Sequence, residues 1–207
     1  MTKELILYTH PQSRGAIVQW MLEEIGQPYS VRVMDYKTSM KAPEYLALNP
    51  MGKVPALQNG DVVVTETAAI CAYLADAFPQ AELAPALEDR GEYYRWLFFA
   101  AGCGEPAMFD HAAGWIPETD ELQSSLGYGT FEKTFDTLAS WLADRSYVAG
   151  DRFTAADVYV GSLLRFGMDF NLIPRKPEFE AYVAPFLERP ARQQADAKIQ
   201  ALMEEGG

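Results

Sequence analysis

Apolar and polar positions change their rhythm about eighty residues into the chain. Before that point, short strand-like runs alternate with runs of helical spacing. Leu5-Ile6-Leu7-Tyr8 reads as a short buried strand, His10-Pro11 breaks it, and an apolar helical run extends from Gly15 to Ile25. Gly26 stops that helix, because glycine tolerates the left-handed conformation at a helix C-terminus. Tyr29 to Val33 alternates into Met34 and suits a second strand; strand, helix and strand in that order imply a parallel pair. A short helix at Pro43 to Leu48 precedes two brief strands, Val54 to Leu57 and Val62 to Val64. They flank Asn59-Gly60-Asp61, a hairpin signal that makes them antiparallel. Thr67 to Phe78 closes the unit as a helix.

From Pro79 to Pro85 the composition turns to a linker with two prolines, and beyond it only helical spacing persists. Helical runs cover about Asp89 to Met108, Ser125 to Asp144, Ala155 to Asn171 and Pro177 to Met203. Thr154-Ala-Ala-Asp157 reads as a capping box at the third run, a hydroxyl for one orphan amide and a carboxylate for another. These are folding residues. The expected fold is an α/β N-terminal domain over residues 1–80, in the thioredoxin-like order βαβαββα, then an all-helical domain over 87–207. Element order alone supports only an analogy of fold.

Composition narrows the partners. Seventeen basic against 29 acidic side chains leave a formal charge of -12. That balance opposes nucleic-acid binding, which needs Lys and Arg to displace counterions from phosphate, and opposes docking on an anionic membrane surface. No apolar run is long enough for a membrane span, and no basic segment followed by an apolar one marks a secretory signal, so the chain reads as cytoplasmic. Cys71 and Cys103 fit neither a zinc spacing nor a Cys-x-x-Cys pair, and only His10 and His111 are available, so no metal is expected. Cys71, among Ala69, Ile70, Ala72 and Leu74, reads as a small buried side chain.

Three elements carry candidate chemistry. In Asn49-Pro-Met-Gly-Lys-Val-Pro-Ala-Leu57, a proline opens a strand without donating its amide. Taken alone it is an ordinary strand start, but Val54 before it can offer free backbone groups to an extended peptide, a geometry that a cis Val54-Pro55 bond would fix. In Thr65-Glu-Thr-Ala-Ala-Ile70, a helix N-terminus presents free amides to a carboxylate. Thr67 adds a hydroxyl and Glu66 can pair with an ammonium, so the two suit an α-amino acid head group; alone they read as a cap with an acidic first turn. In Tyr8-Thr-His-Pro-Gln-Ser-Arg-Gly15, Ser13 is either a plain N-cap or a hydroxyl donor to a thiolate held at the helix end.

In this order and spacing, the three elements resemble the glutathione transferase superfamily, particularly its bacterial, theta-like members. The resemblance spans almost the full chain and is strongest from Tyr8 to Leu74. It implies that Val54 pairs through its backbone with the cysteinyl part of glutathione, Pro55 being cis. Glu66 and Thr67 would hold the γ-glutamyl head group, Lys53 and Lys41 the glycyl end, and Ser13 would occupy the position of the activating hydroxyl. Family members differ in that loop, so Thr9 and Tyr8 stay open as alternatives to Ser13. Some bacterial relatives carry a cysteine there; its absence argues against glutaredoxin-like chemistry.

The implied activity is a glutathione S-transferase that activates the glutathione thiol as a thiolate for attack on a small electrophile, in a detoxifying role. Glutathione would be the co-substrate, and a homodimer is implied by the family. The acceptor pocket would lie between the domains, with Met108 and Phe109 as candidates for its lining. Rival readings on the same scaffold are an isomerase, dehalogenase or peroxidase using glutathione, or a non-catalytic interaction protein. An interaction protein would have no need to keep Ser13 and the Glu66-Thr67 pair.

Overall fold

The sheet is built from strands whose alternate residues choose opposite faces. The computed structural model describes residues 4–205, so 1–3 and 206–207, the outer ends of the two expected domains, lie outside the described residues. In the first compact unit, β1 (Leu5–Thr9) leads to α1 (Gly15–Ile25) and β2 (Ser30–Val33). A 3-10 turn at Ser39–Lys41 and α2 (Pro43–Leu48) follow, then β3 (Ala56–Asn59), β4 (Val62–Thr65) and α3 (Thr67–Ala77). The strand order is β2-β1-β3-β4, with β1 and β2 parallel and the other two pairs antiparallel. The hairpin places Asn59 opposite Val62 around a two-residue turn, with Gly60 at φ 60° supplying the positive angle such turns require. This is the expected βαβαββα order.

Leu5, Leu7 and Thr9 are buried on the side of the sheet where α1 begins, and Val18, Met21, Leu22, Ile70, Cys71 and Leu74 of α1 and α3 complete that layer. On the other side, Tyr8, Leu48 and Val54 pack against Met34, Met40, Tyr45 and Ala56. The α1 helix ends as expected, at Gly26 with φ 64°, its N–H reaching the Leu22 carbonyl.

The second compact unit, Ala84–Leu187, is helical. It contains α4 (Gly91–Phe99), a π-helical stretch at Ala100–Gly104, α5 (Glu105–Ala112), α6 (Asp120–Ser125), α7 (Phe131–Leu142), α8 (Ala155–Asp169) and α9 (Pro177–Leu187). Helix α8 is its centre, with Ala155 to Leu164 buried all round. The capping box forms: Asp157 accepts from the Thr154 N–H at 2.8 Å, while the Thr154 hydroxyl accepts from the Ala156 N–H at 3.3 Å.

The division of the chain departs from expectation at its C-terminal end. The run expected as one helix over 177–203 is two, α9 and α10 (Pro190–Glu205), because Pro190 has no N–H to donate and restricts the residue before it. Residues from Glu188 onward group with the first compact unit, where α10 packs on α1. Among the described residues no helix is long and apolar enough to cross a membrane. Nor does any group of three or more His, Cys, Asp or Glu among them suit a metal ion.

Candidate functional site

Strand register decides which sequence elements can meet. Tyr8 lies opposite Ala56, and Ala56 lies opposite Thr65. The end of β1, the start of β3 and the end of β4 therefore fall at one edge of the sheet, with adjacent strands about 4.8 Å apart. The Ser13 loop leaves β1 at this edge, Val54 and Pro55 enter β3 there, and Glu66-Thr67 follow β4 there. Val33, at the end of β2, pairs with Thr9 beside them and starts the segment leading to Lys41.

The Ser13 loop is held by its own hydrogen bonds. The Ser13 hydroxyl donates to the His10 carbonyl at 2.6 Å and accepts from the Gly15 N–H at 3.0 Å; the N-cap of α1 is Arg14, so Ser13 sits one residue before the cap position that the sequence suggested. His10 Nδ1 accepts from the Gln12 N–H at 3.2 Å, and the His10 ring packs on Tyr36 at 4.3 Å. Gly15 is required by close approach: a Cβ there would stand 1.8 Å from the hydroxyl of buried Thr9. The two other candidate hydroxyls are placed differently. Thr9 is buried beneath Gly15 and donates to His10, whereas Tyr8 donates at 3.0 Å to Gln58, two residues further into β3 and away from the edge.

The Val54-Pro55 bond is cis, as expected. Val54 is half-buried, and among the described residues neither its N–H nor its carbonyl is hydrogen-bonded within the chain. The residue before it is pinned: the Lys53 carbonyl accepts from the Tyr45 hydroxyl at 2.6 Å and from the Asn49 side chain at 2.7 Å. Burial pushes the Tyr45 hydroxyl up to about 12, so it stays protonated and remains a donor. Sequence reasoning quoted Asn49 within its candidate string but gave neither it nor Tyr45 a role; an amide side chain directly before Pro-x-Gly was the available signal. The Lys53 side chain is exposed, and Lys41 Nζ donates to the Gly52 carbonyl at 2.9 Å.

Glu66 stands at the N-terminus of α3 with φ 67° and ψ 121°, a conformation that costs a non-glycine residue about 1–3 kcal/mol. Its carboxylate is exposed and makes no hydrogen bond or ion pair within the described chain. Thr67 is buried, and its hydroxyl likewise has no partner among the described residues. The start of α3 thus sets helix amides, which favour negative charge, beside a carboxylate that has no cation of its own among the described residues.

The remaining candidates separate. In the helical unit, Met108 is core at 1% exposure, while Phe109 is 40% exposed and begins an aromatic row with Phe166 and Phe170, at ring separations of 6.3 and 4.7 Å. Burial pushes the Cys71 thiol up to about 12 and raises Cys103 as well, whose Sγ donates to the Gly127 carbonyl at 3.3 Å. A raised pKa means less thiolate at a given pH. Native protein should therefore take one maleimide per chain, at Cys103. Its rate should lag behind free cysteine at neutral pH and keep climbing beyond the ordinary thiol value of about 8.5. Peptide mapping of the labelled protein checks this, and prompt labelling of Cys71 would contradict it.

Fold and edge together define a class: a thioredoxin-like domain with an unpaired Val54 backbone and the Glu66-Thr67 helix start at one sheet end, joined to a helical domain. The N-terminal domain model of the glutathione S-transferases matches residues 3–76, and the C-terminal domain model matches 118–190. Glutathione S-transferase 1 of Schizosaccharomyces pombe is 32% identical over 162 residues, covering 73% of this chain and 69% of that protein. The solved glutathione S-transferase of Xylella fastidiosa superposes with a TM-score of 0.78 at 27% identity, covering 95% of this chain and 99% of its own. Glutathione transferase URE2P6 of Phanerochaete chrysosporium, solved in complex with oxidised glutathione, also has a TM-score of 0.78, at 26% identity and with 97% and 98% coverage. The chain belongs to the glutathione S-transferase family and is a transferase of that type.

Proposed function

We propose that this enzyme binds glutathione at the shared edge of β1, β3 and β4 and transfers it to a small electrophile. The observation that carries the reading is the unpaired backbone of Val54, set by register between the Ser13 loop and the Glu66-Thr67 turn. An extended γ-glutamyl peptide pairs its cysteinyl backbone with Val54. Its α-carboxylate sits on the first amides of α3 and the Thr67 hydroxyl, and its ammonium on Glu66. Lys53 takes the glycyl carboxylate, with Lys41 beside it using the ammonium donors that Gly52 leaves over.

This pose places the thiol near the start of α1. A free thiol with a pKa of about 8.5 is only a few per cent thiolate at neutral pH; lowering it by two units takes about 2.7 kcal/mol of differential stabilisation. One charge-assisted hydrogen bond and a helix end are of that order. Ser13 is the donor: it is half-buried at the loop and can turn its proton from the His10 carbonyl to the sulfur while still accepting from Gly15. The thiolate lone pair then forms the sulfur–carbon bond as the bond to the leaving group breaks, and the leaving group departs with that electron pair. The helical domain contributes the acceptor pocket, for which exposed Phe109 is the candidate and core Met108 is not. The enzyme works as a cytoplasmic homodimer in detoxification, on the same reading.

Ser13→Ala should raise the apparent pKa of bound glutathione by about one to two units, toward that of the free thiol, while leaving its affinity nearly unchanged. Thiolate absorbance titrated in the binary complex reads the pKa, and calorimetry reads the affinity. An unmoved titration would remove Ser13 from the mechanism, and failure of the parent protein to bind glutathione would remove the site itself.

A further inference from the structure

The α1 helix ends in a way that elementary electrostatics disfavours. Glu23 and Glu24 lie together in its last turn, at the negative end of the helix dipole, and that turn contains no basic residue. Both side chains are also nearly withdrawn from water, 6% and 7% exposed. Two adjacent carboxylates in such a place need compensation from elsewhere. It comes from the far end of the chain.

Arg189 donates to Glu24 through both arms of its guanidinium, at 2.7 Å and 2.7 Å, and the Trp20 indole N–H donates to the same carboxylate at 2.8 Å. Lys198 donates to Glu23 at 2.6 Å, and the Tyr29 hydroxyl donates to Glu23 too. Arg192 lies over the Trp20 ring at 5.0 Å, and Lys198 over the Tyr29 ring at 4.9 Å. The two ion pairs join residues 165 and 175 positions apart. Most of α10 lies past residue 190, where the second family model ends.

We infer that Arg189 and the α10 helix that follows it form a clasp that positions the Ser13 loop, acting through α1 by the Arg189–Glu24 and Lys198–Glu23 pairs. An 11-residue helix is a stiff rod of about 16 Å, so what holds its C-terminus also sets its N-terminus. There the tolerance is small. Gly15 lies against Thr9 with no room for a methyl group, and its N–H holds the Ser13 hydroxyl. Shifting α1 therefore turns Ser13 away from the thiol. Val54, Glu66 and Thr67 lie outside α1, so the clasp governs activation of glutathione rather than its capture. Arg189 and Lys198 are positioning residues and touch no substrate.

The inference rests on the Ser13 reading, and its test separates the two. Arg189→Met alone would strand a buried carboxylate, so the informative variant is the neutral pair Glu24→Gln with Arg189→Met, which removes both charges at nearly constant volume. It should melt cooperatively and bind glutathione about as the parent does. Amide exchange at Gly15 and Ala16 should rise about tenfold, the response expected when one end of a helix loses its anchor. The pKa of bound glutathione should rise, and the kcat profile should move to higher pH with it. Placed on Ser13→Ala, the double substitution should add nothing to that pKa.

A folded double variant with unchanged exchange at Gly15 and Ala16, or with an unmoved thiol pKa, overturns the clasp. So does an additive shift on Ser13→Ala, which would mean that α10 acts by another route. If Ser13→Ala alone leaves the thiol pKa unmoved, the Ser13 reading fails and exchange at Gly15 and Ala16 alone decides whether α10 positions the loop.

Discussion

Asp157→Ala will lower the stability of the protein by about 3–5 kcal/mol, which for a chain of this length is on the order of 10 °C in melting temperature. Asp157 is fully buried in the first turn of α8 and serves three parts of the helical unit at once. Its carboxylate accepts from the Thr154 N–H at 2.8 Å and hydroxyl at 3.1 Å, from the Val148 N–H at 2.7 Å, and from the Tyr182 hydroxyl at 2.7 Å. Alanine leaves these buried donors without an acceptor, at about 1–3 kcal/mol each before relaxation. Burial raises the Asp157 carboxyl above its ordinary value, and the donated bonds oppose that rise. The native state thus takes up this proton no later than the unfolded chain does, so Asp157 itself adds no acid lability. Urea denaturation followed by tryptophan fluorescence measures the loss. A change below about 1 kcal/mol, the size of an ordinary cap, would mean that the links to Val148 and Tyr182 carry no energy.

Glu66→Gly should make the protein more stable and a poorer binder of glutathione. Glycine adopts φ 67°, ψ 121° without steric cost, so the substitution relieves about 1–3 kcal/mol of backbone strain and returns about 0.5–1 kcal/mol in unfolded-state entropy. The net gain is on the order of 1 kcal/mol. The same change removes the only carboxylate proposed to meet the γ-glutamyl ammonium, and a charge-assisted contact of about 1.5–3 kcal/mol corresponds to a tenfold or greater weakening of binding. Opposite signs in the two measurements distinguish this reading from a general structural defect, which would lower both. Denaturation and calorimetry on one preparation decide it; unchanged affinity would show that Glu66 is not part of the cradle.

Much of this architecture was legible because its causes are local. Gly26 closes α1, Asn59-Gly60 turns the hairpin, and Thr154 with Asp157 opens α8, each through backbone preferences that act within a few residues. The same holds for the chemistry of Glu66-Thr67, since a helix start with an acidic neighbour is recognisable in the chain itself. Local signals misled where a periodic pattern crossed a break. The apolar spacing from Pro177 to Met203 continues through Glu188 and Arg189, although the two helices it describes belong to different compact units.

The sequence by itself determined the order of elements and the residue types at Val54, Glu66, Thr67 and Ser13. Only the tertiary structure decided which of these meet. Register brought Thr9, Ala56 and Thr65 to one edge, and it sent the Tyr8 hydroxyl inward to Gln58, away from the loop that holds Ser13. Register is a property of paired strands, and pairing joins residues about fifty positions apart, beyond any local rule. The clasp is the extreme case: nothing near Glu23 and Glu24 predicts that their partners are Lys198 and Arg189, because the need to neutralise buried charge acts through space and not along the chain.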